Sequence, residues 1–204
     1  IPTLLGKRFK FSHISGDLRA RELRPSLDLL RKAGIIHKVT HSSGQGIPLG
    51  ATAKAGIFKV IFLDIALGQS ILKSDRSSWL LDPQAGFINK GEITEAFIGQ
   101  ELLAYSTANH RSELYYWQRE ARSSNAEVDY LTECGHGVLP IEVKSGSPGG
   151  LKSMRLFLDG HVRSGKGIRF SPENFLVVDE IHNYPLYAAS KLCPNHMEDI
   201  QSLL

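Results

Sequence analysis

Two short apolar runs near the middle of the chain carry charged side chains where a buried strand would otherwise have none. Glu127-Val-Asp-Tyr-Leu131 is followed, after Cys134-Gly-His-Gly137, by Leu139-Pro-Ile-Glu-Val-Lys-Ser-Gly146. Strand side chains alternate between faces, so Glu142 and Lys144 point one way while Ile141 and Val143 point the other. The runs read as neighbouring strands joined by a turn, with Asp129 on the first. A carboxylate and an ammonium on one strand face, beside a second carboxylate, can hold a divalent cation and a phosphate together. The same Glu142 and Lys144 also read as an ordinary ion pair at a strand end.

The elements around these runs set the fold class. A helix is expected from about Glu92 to Ser106, then strands at Glu113–Gln118, Ala126–Thr132 and Val138–Lys144. After Ser145-Gly-Ser-Pro-Gly-Gly150 comes a helix from about Leu151 to Val162, a buried-looking strand at Phe175–Val178 and a last strand near Tyr184–Ala189. Helix, three strands, helix, strand is an α/β layered pattern built on one mixed sheet. Upstream, Leu23, Leu27, Leu30 and Ile35 recur at near-helical spacing. Pro25 belongs in a first turn, which predicts a helix from about Arg24, and Gly34 stops it. Strands at Ile35–Thr40 and Phe58–Leu63 flank a Gly/Ser-rich tip at His41–Gly46, and a short helix is expected over Asp64–Lys73. That order is the outline of a small winged-helix domain over residues 1–73. Ser74 to Gly91 is polar and turn-rich and reads as a linker opening the second domain, 74–204.

Charge sharpens the division. The chain of 204 residues has a net charge of +3, but residues 1–60 hold eleven Lys/Arg against three acids. A basic first third suits an anionic partner, and Arg19, Arg21, Arg24, Arg31 and Lys32 are the candidate phosphate contacts. The competing reading is a solvated basic face, or a wing packed on another domain without touching nucleic acid. With 42% hydrophobic and 22% charged residues, the composition is that of a globular protein with a real core. No run approaches the ~18 apolar residues that span a membrane; the most apolar stretch, Ile57 to Leu67, is interrupted by Lys59 and Asp64. Two distant cysteines, Cys134 and Cys193, make no disulfide framework, so a reducing cytoplasm is expected.

Phosphodiester hydrolysis needs an in-line water, relief of charge at the phosphate and a stabilised leaving oxygen. Mg²⁺ or Mn²⁺ supplies the last two when one or two carboxylates hold it. Asp129 and Glu142 are the candidate ligands, with the Val143 carbonyl as a third. Lys144 would orient or deprotonate the water and offset charge in the transition state. Glu95 shares a helix face with Ile98 and Leu102, and a carboxylate there needs a partner or a metal; it could hold a second ion, or be a first-turn glutamate favoured by the helix dipole. Lys152 is a further candidate phosphate contact. Other chemistries find less support. Cys193-x-x-His196 has no second ligand pair, no Gly-x-Ser-x-Gly elbow exists, and no P-loop is present in this sequence, so ATP hydrolysis is not expected of it.

An ordered set of segments resembles a known family. Leu27-Asp-Leu-Leu-Arg-Lys-Ala-Gly-Ile-Ile-His-Lys38, Phe58-Lys-Val-Ile-Phe-Leu-Asp-Ile-Ala-Leu67, Glu95-Ala-Phe-Ile-Gly-Gln-Glu-Leu102, Leu114-Tyr-Tyr-Trp117, Glu127-Val-Asp-Tyr-Leu131 and Ile141-Glu-Val-Lys-Ser-Gly146 are similar to the C-terminal region of prokaryotic AAA+-type ATPases. That region is a domain family of unknown function, similar to a winged helix followed by a restriction-endonuclease-like domain. The resemblance spans nearly the whole chain. It implies a mixed sheet flanked by helices and maps Glu95, Asp129, Glu142 and Lys144 onto nuclease-type positions. It also implies a partner P-loop ATPase domain that binds ATP, in line with a start at Ile1-Pro2 in place of Met. Nucleic acid is the second implied partner, DNA before RNA, with no membrane and with oligomers allowed. Such domains also serve as non-cleaving DNA- or protein-binding modules.

Overall fold

Apolar alternation on eight short segments builds one continuous sheet. The structure, a computed structural model, describes residues 6–14, 18–71, 90–106, 112–120, 125–146 and 150–192. The strands are β1 (Ile36–Ser42), β2 (Ala53–Phe62), β3 (Leu114–Gln118), β4 (Glu127–Cys134), β5 (Gly137–Val143), β6 (Gly167–Ser171), β7 (Leu176–Val178) and β8 (Ile181–Pro185). Their spatial order is β2-β1-β3-β4-β5-β6-β8-β7. The pairs β1–β2, β3–β4, β4–β5 and β7–β8 are antiparallel, and β1–β3, β5–β6 and β6–β8 are parallel. The expected mixed α/β sheet flanked by helices is therefore present.

The helices are α1 (Ala20–Lys32), α2 (Ile65–Ile71), α3 (Lys90–Ala104) and α4 (Lys152–Gly160). α1 begins about a turn before the position expected from Pro25. Glu22 reaches back to accept the Arg19 backbone N–H at 2.8 Å, which fixes the helix start upstream and leaves Pro25 inside. At the other end Gly34 takes φ +73°, and the Ile35 N–H donates to the Leu30 carbonyl. A left-handed glycine there lets the chain turn directly into β1.

The helix, hairpin and short helix expected over 1–73 are present as α1, β1–β2 and α2. The hairpin is not set apart, because β1 pairs in parallel with β3 (Val39↔Leu114) and extends the main sheet. Its Gly/Ser tip is also packed inward. Gly44 is buried with φ +69°, and a Cβ there would come within 2.8 Å of the Phe157 ring on α4. Ser42 Oγ donates to the Leu49 carbonyl at 3.0 Å and closes the loop. The predicted linker, 74–91, falls mainly outside the described residues.

Two cores sit on the two faces of the sheet. Ile61, Tyr116, Tyr130, Ile141, Ile168 and Phe170 belong to one, under α3. Trp117, Val128, Leu131, Val138 and Phe157 form the other, under α4. α3 approaches the sheet closely because residue 99 is glycine: a Cβ there would lie 2.4 Å from the Tyr130 hydroxyl and 2.9 Å from Ile61. The Tyr130 hydroxyl donates to the Glu95 carbonyl at 2.8 Å, which locks that helix turn over β4.

The C-terminal strands depart from expectation. Phe175–Val178, read as buried, is the outer edge strand β7, and Leu176 is 53% exposed because only β8 flanks it. β6 has no counterpart among the strands expected from the sequence. Arg169 at its centre breaks the apolar run, although Ile168 and Phe170 face the core in strict alternation.

Candidate functional site

Strands β4 and β5 part at one end. Their paired register ends at Tyr130↔Ile141, and β5 continues alongside β6 through Glu142↔Arg169 and Val143↔Phe170. Asp129 fills the opening: its Oδ2 accepts the Val143 backbone N–H at 2.7 Å, a bond that a strand neighbour would otherwise supply. A bulge in β4 lies at this point. Trp117 pairs with Val128 and Tyr115 with Leu131, so three steps on β4 oppose two on β3. Bulges re-aim side chains, and this one puts Asp129 at the split instead of continuing the regular alternation.

Glu142 lies beside that opening on the face opposite Ile141 and Val143. Its side chain is 6% exposed, and its Oε1 accepts from Lys144 Nζ at 2.5 Å. Its Oε2 is buried without a hydrogen-bond partner among the described residues. Burial and the charge of Asp129 push the Glu142 carboxyl up to about 7, against the pull of Lys144. Burial also raises Asp129, while Lys59 and the Val143 N–H act to lower it. Burial works against the charge on Lys144, but Glu142 and Asp129 outweigh it and hold the ammonium protonated.

On the α3 face stands a second cluster. Lys59 of β2 is 1% exposed, and its Nζ contacts Glu95 Oε1 at 2.8 Å and Glu127 Oε1. Its ammonium lies 5.0 Å from the centre of the Tyr116 ring. Burial opposes the charge, but Glu95, Glu127 and Asp129 hold Lys59 firmly protonated. Glu95, 14% exposed, is pushed up to about 8 by burial, with Lys59 pulling the other way and Asp129 adding to the rise. Asp129 feels both Lys59 and Lys144 and so links the clusters.

The structure thus brings Asp129, Glu142 and Lys144 together and sets Glu95 against Lys59 instead of freely facing the opening. Sequence reasoning missed Lys59, Glu127 and Arg169 as members of this neighbourhood. The sequence shows Lys59 between Phe58 and Val60 and Arg169 between Ile168 and Phe170 as single charges inside apolar runs, a pattern that also reads as an interrupted strand; Glu127 carries no such mark.

Asp129 and the unpartnered Glu142 oxygen are a donor set that suits a hard divalent cation. Glu95 is already engaged by an ammonium. Among the described residues no group of three or more His, Cys, Asp or Glu side chains is arranged to hold a metal ion.

The basic residues of the first third lie mostly in solvent. Arg19, Arg21, Arg24 and Lys32 are exposed along α1; the Arg24 guanidinium sits 5.6 Å from the Phe11 ring centre, and half-buried Arg31 lies 4.0 Å from Asp28. Lys152 is exposed at the start of α4. A cleft of 460 Å³ lined by Cys134, His136, Arg163 and Lys166 lies at the opposite end of the β4–β5 hairpin from Asp129, away from the acid cluster. Cys193 and His196 fall outside the described residues. Among the described residues no helix is long and apolar enough to cross a membrane.

Fold and site together define a mixed α/β domain with an acid–lysine cluster where two sheet strands part. A family described as "Domain of unknown function (DUF4143)" matches residues 90–194, over half of the sequence, and the chain belongs to that family. A second family, described as "Domain of unknown function (DUF8612)", matches residues 1–78. No curated protein and no solved structure matches the chain. The sheet crosses the boundary between the two matched segments: β1 and β2 come from the first and β3 to β8 from the second. Lys59, from the first, is the partner of Glu95 and Glu127 from the second.

Proposed function

We propose that this chain is the nucleic-acid-associated region of a larger ATP-hydrolysing protein of the prokaryotic AAA+ type, with a nuclease-type site for Mg²⁺- or Mn²⁺-dependent phosphodiester hydrolysis. The observation that carries the reading is the meeting of Asp129 with the Glu142–Lys144 pair at the strand opening, with one buried Glu142 oxygen left unsatisfied. A buried carboxylate oxygen without a donor is costly, and a cation would satisfy it. Asp129 and Glu142 would hold the ion, which when bound offers charge relief at the phosphate and at the leaving oxygen. Lys144, kept protonated by Glu142, sits where it can orient a water by hydrogen bonding and offset negative charge. Glu95 acts by positioning through the buried Lys59. The exposed arginines of α1 and Lys152 suit contacts to phosphates, with DNA as the favoured partner and the ATPase domain as the other.

The test is incubation of supercoiled and linear DNA with the protein and Mg²⁺ or Mn²⁺. Cleavage is expected to disappear in Lys144→Ala and in Asp129→Ala, with Mn²⁺ binding by calorimetry lost only in the latter. Equal cutting by wild type and Lys144→Ala refutes the catalytic role.

A second reading is a non-catalytic DNA- or protein-binding module that regulates the ATPase domain. The observation favouring it is Lys59, whose ammonium stands between Glu95 and Glu127 as a built-in cation. It predicts no cleavage with any metal and DNA affinity that falls steeply with salt.

A further inference from the structure

We infer that Arg169 and Lys144 form an oxyanion subsite beside Glu142 that grips a phosphodiester of the bound nucleic acid through two of its oxygens. The inference rests on the proposed function for the identity of the ligand, and on the geometry below for its existence. Arg169 is the direct strand neighbour of Glu142 in the β5–β6 register. Parallel neighbours share a face, and Ile168 and Phe170 are anchored in the core on the other. Arg169 therefore projects beside Glu142 and Lys144, and its charge is felt by Lys144.

The guanidinium is poorly satisfied for so buried a group. Its side chain is 7% exposed, and its ion pair is a long one, from Nη1 to Glu173 Oε2 at 3.5 Å. Nε and Nη2 are buried with no hydrogen-bond partner among the described residues. Those two nitrogens form one edge of the guanidinium fork, the edge that binds two oxygens of a phosphate or carboxylate side by side. Buried charges in proteins are paired as a rule, so a free fork edge next to a lysine and the carboxylate of Glu142 reads as a place kept for an anion.

Glu173 is the competitor. Its loop is tied down: Asn183 Nδ2 donates to the Asn174 carbonyl at 2.8 Å and the Glu173 carbonyl at 3.3 Å, and the Glu173 N–H donates to Ser171 Oγ at 3.2 Å. Asn183 is itself the strand neighbour of Arg169 on β8. The Glu173 carboxylate is thereby held near Arg169 but at a distance that a phosphate oxygen can better.

The experiment measures affinity of the whole chain for a labelled DNA duplex by fluorescence anisotropy in Ca²⁺ over a salt series, with thermal melts in inorganic phosphate alongside. Arg169→Gln is expected to weaken DNA binding at least roughly tenfold, and to reduce the log–log salt slope by about 0.9, one phosphate contact. It should also abolish the rise in Tm that phosphate gives the wild type. Arg169→Lys keeps a buried charge without the fork and is expected to recover only part of the affinity, which covers the case in which Arg169→Gln fails to fold. Glu173→Gln removes an exposed competitor and is expected to tighten binding. Unchanged affinity and slope in both Arg169 variants, or weaker binding in Glu173→Gln, overturns the subsite. Arg169-dependent phosphate binding in a protein that neither binds Mn²⁺ nor cuts DNA would instead support the subsite and remove the nuclease reading.

Discussion

Lys59 gives the sharpest test of the electrostatics, because its ammonium contacts both Glu95 and Glu127 from a buried position. Replacing it by methionine keeps most of the volume and removes the charge. Breaking a buried ion pair from one side costs about 3–5 kcal/mol, because the remaining charge stays desolvated. Glu127 is 30% exposed and recovers some hydration, so its share is modest. Glu95, at 14%, recovers little, but it can take up a proton. Its carboxyl already lies near 8 with Lys59 present, and Lys59 acts to lower it, so Lys59→Met raises it further. The expected loss is therefore about 3 kcal/mol at pH 8, the low end of the range. That corresponds to a fall in Tm of roughly 6–12 °C for a chain of this size. At pH 5.5 Glu95 is closer to neutral and the loss shrinks. Urea denaturation at the two pH values measures this, with Glu95→Gln added to Lys59→Met to restore part of the stability. A loss under about 1 kcal/mol at pH 8, the range of an exposed pair, or a loss independent of pH with no rescue by Glu95→Gln, refutes the reasoning.

Two further perturbations follow from the same geometry. Gly99→Ala places a methyl group against Tyr130 and Ile61 in a contact with no room to relax, and is expected to cost about 1–3 kcal/mol by overpacking; denaturation gives the value, and an alanine variant as stable as the wild type would mean α3 is not seated as described. The carboxyls of Glu95 and Glu142, raised to about 8 and about 7, bind more protons in the folded than in the unfolded chain above pH 4.5. Their contribution to stability is thus full at low pH and is lost as pH rises through 7 to 8. Melting without metal should show Tm falling between pH 6 and 8.5, and Mn²⁺ should flatten the fall; a Tm that rises over that interval contradicts the assignment.

Much of the sheet was legible because its strands obey simple rules. The runs at Ala126–Thr132 and Val138–Lys144 are separated by a turn of glycines, and β4 and β5 form within two residues of those limits. The pairing of Glu142 with Lys144 on one strand face followed from alternation, with Asp129 expected on the neighbouring strand. What was hidden depends on contacts between distant segments. Nothing local says that β1 pairs with β3, so a hairpin with a Gly/Ser tip resembles a free wing until Gly44 is seen against Phe157. Lys59 and Arg169 were hidden for the opposite reason. A charged residue inside an apolar strand counts as an interruption in a hydrophobicity reading, and only its burial in the folded sheet marks it as a functional candidate. The bulge in β4 likewise has no signature in Glu127-Val-Asp-Tyr-Leu131, yet it is what turns Asp129 into the strand opening.

The charges around the opening explain why cation and phosphate belong in one proposal. Leaving aside Glu173, the part-exposed competitor at Arg169, the carboxyls of Glu95, Glu127, Asp129 and Glu142 stand against Lys59, Lys144 and Arg169, four carboxyls against three cations. One negative charge is left over; burial first, and the neighbouring carboxylates after it, raise Glu95, Asp129 and Glu142, which favours a proton in the folded cluster. A phosphodiester arriving alone would add a second negative charge to a buried site, and a divalent cation arriving alone would leave a positive one. Together they bring the cluster to neutrality without the proton. On this arithmetic each ligand improves the site for the other, and by linkage the coupling is the same in both directions. A site of this kind is weak for either ligand alone, which fits carboxylates that rest against lysines instead of being arranged in advance around a vacant metal position.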